Sequence, residues 1–217
     1  MKSLYDVSAP AKLNLFLHIT GRRSDGYHLL QSVFMLIDWC DTLHFELRHD
    51  GLISRADLGA AKAEALPDVD LSVRAARALQ AATGTSLGVH ISLEKRIPSQ
   101  AGMGGGSSDA ATCLLALQRL WGVRLPAEKL QALALSLGAD VPFFLCGSHA
   151  WVEGIGEKIT PIRGIKASLL IYKPKENCPT GEIFASDQLT RDSSPVKIAV
   201  FDSGGFAKNE EELSTCK

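Results

Sequence analysis

Between residues 98 and 111 the chain reads Pro-Ser-Gln-Ala-Gly-Met-Gly-Gly-Gly-Ser-Ser-Asp-Ala-Ala, and this stretch constrains the fold more than any other. Gly102, Gly104, Gly105 and Gly106 admit positive φ and close approach of a ligand to the backbone. Ser107 or Ser108 is a suitable N-cap for a helix over residues 110–120. The alternating run Val89-His-Ile-Ser-Leu-Glu-Lys95 in front of the loop reads as a strand. A strand, a glycine loop and a helix start gather main-chain N–H groups at the positive end of a helix dipole, and the natural ligand there is a phosphate. A tight strand-to-helix connection with no ligand is the alternative these residues leave open. No Gly-Lys-Ser/Thr ending and no Gly-x-Gly-x-x-Gly spacing is present, so the phosphate-binding design is neither the P-loop nor the dinucleotide one.

The rest of the first half predicts strands over residues 5–9, 13–19, 29–37 and 42–48, with a turn-rich connection at 21–26. Asp70 is the expected cap of a helix over 71–82, whose face of Leu71, Val73, Ala75, Ala76 and Leu79 ends at Gly84. Pro126 suits the first turn of a helix over 126–137, with Leu130, Leu133, Ala134 and Leu137 spaced for burial and Gly138 as its stop. The pattern is α+β, with helices packed on a largely antiparallel sheet. A strand over 167–172 opens a second module, and polar residues gather from Asp187 onward.

A net charge of −1 gives no general field for nucleic acid or an anionic membrane, so attraction for a phosphorylated ligand has to be local. Cys40, Cys113, Cys146, Cys178 and Cys216 are odd in number and widely spaced, with no Cys-x-x-Cys pair, and read as reduced thiols of a cytoplasmic protein. No apolar run approaches the length of a membrane span, and the N-terminus is not expected to be an export signal.

The pattern Pro-x3-Gly-x-Gly-Gly-Gly-Ser-Ser-x-Ala-Ala resembles the ATP loop of the GHMP kinases. Pro10-Ala-Lys-Leu-Asn-Leu-Phe-Leu-His18 with Gly21-Arg-Arg-Ser-Asp-Gly-Tyr-His28, and Leu137-Gly-Ala-Asp-Val-Pro-Phe-Phe144, are similar to the opening and the second motif of one branch of that family. That branch phosphorylates a cytidine-diphosphate-linked polyol on the way to isoprenoid precursors. The resemblance runs from about Ala9 to Phe184. It implies a two-domain GHMP kinase fold: a ribosomal-protein-S5-like, ATP-binding domain over 1–160 and an incomplete ferredoxin-like substrate domain over 161–217. The third motif of the family, a Gly-x-Gly loop, has no counterpart, and Gly204-Gly205 does not substitute for it. ATP is the implied cofactor, with Mg2+ following from ATP chemistry. A small cytidine diphosphate substrate is the implied partner. A homoserine- or mevalonate-type kinase and a non-catalytic nucleotide-binding fragment are the competing readings.

Phosphoryl transfer to an alcohol needs a grip on the triphosphate, charge neutralisation and a group to take the hydroxyl proton. The grip falls to Pro98, Ala101, Gly102, Met103, Gly104, Gly105, Gly106, Ser107 and Ser108. Asp140 is the only charge in the apolar run 135–145 and is expected to be buried with a partner, for which Lys12 is the candidate. An aspartate bonding N–H groups at a helix terminus, and a lysine snorkelling at a strand start, are the plainer alternatives. The resemblance matches Lys12 and Asp140 to the catalytic lysine and aspartate of the family. Asn14, two residues from Lys12 on the same strand face, is a candidate phosphate or substrate contact. By the same resemblance Tyr27 stacks on the cytosine, His28 selects it by hydrogen bonding, and Phe184 closes the aromatic sandwich, with Thr180 beside it. Asp109 is expected to be a favourable acid in the first helical turn. Asp70 departs from the asparagine common at its position in the family.

Overall fold

The computed structural model describes residues 2–58, 69–162, 168–173, 183–184 and 186–197. Two long strands, β1 (Ser3–Arg22) and β2 (His28–Arg48), form an antiparallel hairpin along their whole length. They replace the four shorter strands expected, because the polar residues that seemed to interrupt the runs sit at register shifts within one continuous ladder. The shifts fall at Leu4/Val7, Pro10/Ala11, Asn14/Leu17 and Ile19/Gly21. Pro10 lacks a donor and is tolerated because β1 pairs only with β2, leaving an edge. The shifts on either side of Lys12 and Asn14 turn that short segment out of the regular pleat.

The second edge of β2 is shared. Its later half, Thr42–Arg48, pairs antiparallel with β4 (Gly88–Glu94), and its earlier half, Leu30–Phe34, pairs with β5 (Ala150–Gly154). β3 (Ile53–Asp57) adds to β4 in parallel, and β6 (Lys158–Pro161) closes the other side on β5. The largely antiparallel sheet is thus present with one parallel pair. β3, β5 and β6 are too short, and too mixed in polarity, for their patterns to have stood out.

Strand alternation sets two faces. Phe34, Leu43, Phe45, Val89, Ile91, Leu93, Ala150 and Val152 point to the main core. Val33 and Trp151 point the other way, where Ile162, Leu15 and Phe16 cover them. Four helices pack on the main core: α1 (Leu71–Thr83), α2 (Gly105–Trp121), α3 (Ala127–Leu137) and α4 (Val141–Cys146). Asp70 caps α1, its Oδ1 accepting the Val73 N–H at 3.0 Å and its Oδ2 the Arg55 guanidinium at 3.0 Å. Gly84 ends α1 in the left-handed region, as expected.

Three expectations are corrected. α2 begins five residues earlier than 110, capped by Gly104 with φ 71°. Ser107 and Ser108 therefore lie inside the helix rather than at its cap. The backbone already turns in at Gly104, which alone of the candidates takes a left-handed φ without strain. Pro126 precedes α3 as its N-cap residue in an extended conformation instead of occupying the first turn. The strand expected over 167–172 is absent at residues 168–172, and Ala167 lies outside the described residues. Leu170 there is 98% exposed, and a strand without a partner leaves its ladder groups unpaired.

Candidate active site

The sheet edge, the glycine loop and the start of α4 enclose one cleft of about 1480 Å3. β1 brings Lys12 to its floor. The Lys12 main-chain N–H donates to the Met103 carbonyl at 3.0 Å, which ties the strand to the loop, and Ala11 packs on Ile97 and Met103 beneath it. Lys12 is only 4% exposed. Its Nζ donates to Asn14 Oδ1 at 2.7 Å, stands 3.6 Å from Asp140 Oδ2 and lies 4.4 Å from the centre of the Phe34 ring. Burial lowers the pKa of the ammonium, and the Asp140 charge and hydrogen bond work against that fall. The Lys12–Asn14–Asp140 cluster thus forms across two elements as the residue types suggested.

Asp140 precedes α4 with φ −85° and makes no side-chain capping bond, so the helix-terminus alternative does not describe it. The expectation of full burial is corrected. Its side chain is 33% exposed, because the apolar neighbours Val141, Phe143 and Phe144 turn into the core while the carboxylate turns to the cleft.

The loop from Lys95 to Gly104 delivers its backbone to the same cleft. Gly102 and Gly104 take φ values of 69° and 71°. At Gly104 a Cβ would come within 2.8 Å of Phe144, so the close approach and the left-handed φ both demand glycine. The first intrahelical bond of α2 is Ser108 N–H to the Gly104 carbonyl at 2.9 Å. The N–H groups of Gly105, Gly106 and Ser107 come before it and have no partner one turn back. Pro98, Ala101, Gly102, Met103, Gly104, Gly105, Gly106 and Ser107 all line the cleft. Ser108 does not; its hydroxyl is buried on the core side with no bond among the described residues.

At the far end of the cleft lie Tyr27, 60% exposed, and His28. The His28 ring lies 5.2 Å from that of Phe184, centre to centre, with the planes at 37°. His28 has its pKa lowered by desolvation and then by the Arg191 and Arg22 charges. Thr180 lies outside the described residues.

Over residues 70–148 the sequence matches the family described as GHMP kinases N terminal domain. It is 70% identical to the 4-diphosphocytidyl-2-C-methyl-D-erythritol kinase of Polaromonas sp. (strain JS666 / ATCC BAA-500), over 97% of this chain and 69% of that protein. It is 71% identical to the enzyme of the same name from Polaromonas naphthalenivorans (strain CJ2), over 93% of this chain and 69% of that protein. The chain belongs to the 4-diphosphocytidyl-2-C-methyl-D-erythritol kinase family. A crystal structure of a 4-(cytidine 5'-diphospho)-2C-methyl-D-erythritol kinase superposes with a TM-score of 0.63 at 40% identity, covering 82% of this chain. The chain spans 62% of that solved protein. The fold is the α+β fold of the GHMP kinases.

Sequence reasoning missed a buried charge cluster behind the glycine loop. Lys95 Nζ donates to Asp109 Oδ2 at 2.8 Å and to Asp41 Oδ2, while Asp41 Oδ1 accepts the Arg96 and Ile97 N–H groups at 2.6 and 2.8 Å. Asp109 is the fifth residue of α2 and only 2% exposed, so it lies past the first turn in which a favourable acid was expected. Burial pushes its carboxyl up to about 7 even with Lys95 beside it. Burial also works against the Lys95 charge, but the two carboxylates outweigh it and raise the Lys95 pKa. The signal available in the sequence was Lys95 itself, placed between a buried-strand pattern and a phosphate loop.

Proposed function

We propose that the chain transfers the γ-phosphoryl group of ATP to the 2-hydroxyl of 4-diphosphocytidyl-2-C-methyl-D-erythritol, an isoprenoid-precursor step. The observation that carries this reading is a single cleft holding a glycine-loop helix start, a lysine–aspartate pair and an aromatic–imidazole end. ATP use goes with the GHMP kinase family. The N–H groups at the start of α2 receive the phosphates, with the helix dipole favouring their charge. Asp140, exposed to the cleft, accepts the acceptor hydroxyl proton as the oxygen attacks phosphorus and ADP leaves. Lys12, 3.6 Å from Asp140 Oδ2, offsets the negative charge that develops on the transferring group. Asn14 fixes the ammonium by accepting a hydrogen bond from it.

Mg2+ enters this reading with the nucleotide. With the nucleotide in place the ion would be held by phosphate oxygens and water. When bound it neutralises phosphate charge. Tyr27, His28 and Phe184 take the cytidine end. Among the described residues no helix is long and apolar enough to cross a membrane.

The test is ADP release with 4-diphosphocytidyl-2-C-methyl-D-erythritol, homoserine and mevalonate offered separately. Turnover with the cytidine compound alone supports the reading. Turnover with homoserine or mevalonate instead moves the chain to another branch of the GHMP kinases, and nucleotide binding without turnover makes it a non-catalytic module.

A further inference from the structure

Arg191 is a half-buried cation that pairs with no carboxylate among the described residues. All its hydrogen bonds to described residues go to neutral acceptors. Nη1 donates to the Leu189 carbonyl at 3.1 Å, and Nη2 donates to the carbonyls of Phe184 at 3.1 Å and Ser186 at 2.8 Å. Nε donates to His28 Nε2 at 3.2 Å. The segment carrying Arg191 is itself pinned to the sheet, with Ser193 N–H on the Ile19 carbonyl at 2.9 Å and Val196 N–H on Gln31 Oε1 at 2.9 Å. Arg191 does not line the cleft, whereas His28 and Phe184 do. Whatever it contributes there passes through those two residues.

We propose that Arg191 is a positioning residue for base recognition: it holds His28 as the neutral tautomer with the proton on Nδ1, and fixes the backbone of Phe184, against whose ring the imidazole rests. A guanidinium has donors only, so His28 Nε2 must be unprotonated to accept from it. An imidazolium would set N–H against N–H. The charges of Arg191 and of Arg22, the strand partner of His28, both disfavour a second proton on the ring. The neutral ring then carries one proton, on Nδ1, and presents a single N–H donor of fixed identity. Such a donor meets the unprotonated ring nitrogen of cytosine and opposes the N–H that uracil carries at the same place. Without Arg191 the imidazole is free to exchange tautomers, and the discrimination goes with it. This inference rests on the reading of the cleft as a cytidine diphosphate site.

The experiment uses the full 217-residue chain, 15N-labelled at histidine, with CDP and UDP as probes. In the unliganded protein near pH 7.5 the His28 nitrogen shifts should report the Nδ1–H tautomer. In Arg191→Met they should move to a mixture richer in Nε2–H. By calorimetry the Arg191→Met chain should bind CDP about tenfold more weakly, keep its UDP affinity and so lose most of its base preference, with ATP affinity unchanged. In the His28→Ala background, Arg191→Met should add little further loss. An Nε2–H tautomer in the unmodified chain, full additivity in the double variant, or ATP affinity falling in step with CDP affinity would each overturn the role given to Arg191. Equal binding of CDP and UDP by the unmodified chain would instead defeat the cytidine reading of the cleft, and the unliganded tautomer measurement separates the two failures.

Discussion

At the scale of single residues, Lys12 and Asp140 depend on each other. Lys12 is buried against Phe34 and keeps its charge with help from one carboxylate, and that carboxylate faces the cleft with the ammonium 3.6 Å away. Asp140→Asn should lower turnover by roughly 10²-fold or more with little change in ATP affinity, since a base acts mainly in the transition state. Lys12→Met should match it, with some added loss of ATP affinity. Steady-state kinetics and calorimetry on the two variants check this, and near-normal turnover in both would make the pair structural. Asp109 offers a separate test through pH. Its carboxyl lies near 7 in the folded chain against an ordinary value of 3.8, so between these the folded state keeps a proton that the unfolded state has released. The stability this group contributes is fully present below 3.8 and is lost as pH rises towards 7. Asp109→Asn should therefore gain stability relative to the unmodified chain across that window and level off above it. Thermal melts showing the opposite slope would mean that Lys95 holds Asp109 ionised.

At the scale of elements, the active-site geometry is set by where α2 begins. Gly104 sits between Lys12 and Phe144, and its left-handed φ starts the helix at the point where the N–H groups face the cleft. Gly104→Ala should cost more than about 1 kcal/mol of stability and weaken ATP binding, because the new methyl meets Phe144 and the φ is strained. A denaturant melt and an ATP titration that both match the unmodified chain would remove that constraint. Lys95 joins β2, β4 and α2 through two buried carboxylates. Lys95→Met should destabilise by about 3–5 kcal/mol, since it leaves two buried carboxyl groups without the donor they share. A loss below about 1 kcal/mol in the same melt would show that the cluster adds little. α1, α2, α3, β4 and the glycine loop were legible in the sequence because periodicity and glycine placement are local signals, whereas the six residues of α4 are too few to show a helical period. The exact start of α2 was not, since two serines look like caps and only the Phe144 contact shows that Gly104 is the turning point. Nor was the Asp41–Lys95–Asp109 cluster, whose members lie up to 68 residues apart and meet only when β2, β4 and α2 assemble.

At the scale of the whole molecule, the cleft is made by chain segments that lie far apart in sequence: the β1–β2 hairpin, the glycine loop, the approach to α4 and the short stretches at 171–173 and 183–184. Three of these could be placed from their motifs. The position of Phe184 against His28, and of Arg191 behind both, needed the fold, because 163 residues separate the imidazole from the guanidinium that holds it. The central claim is that one cleft seats the triphosphate at the start of α2, the reacting oxygen beside Lys12 and Asp140, and the cytidine at Tyr27, His28 and Phe184. A crystal structure of the chain with a non-hydrolysable ATP analogue and CDP together tests it most directly. Phosphates are expected on the Gly105, Gly106 and Ser107 N–H groups, and cytosine between Tyr27 and Phe184 within reach of His28. Phosphates away from the glycine loop, or a cytosine ring bound elsewhere, would contradict it.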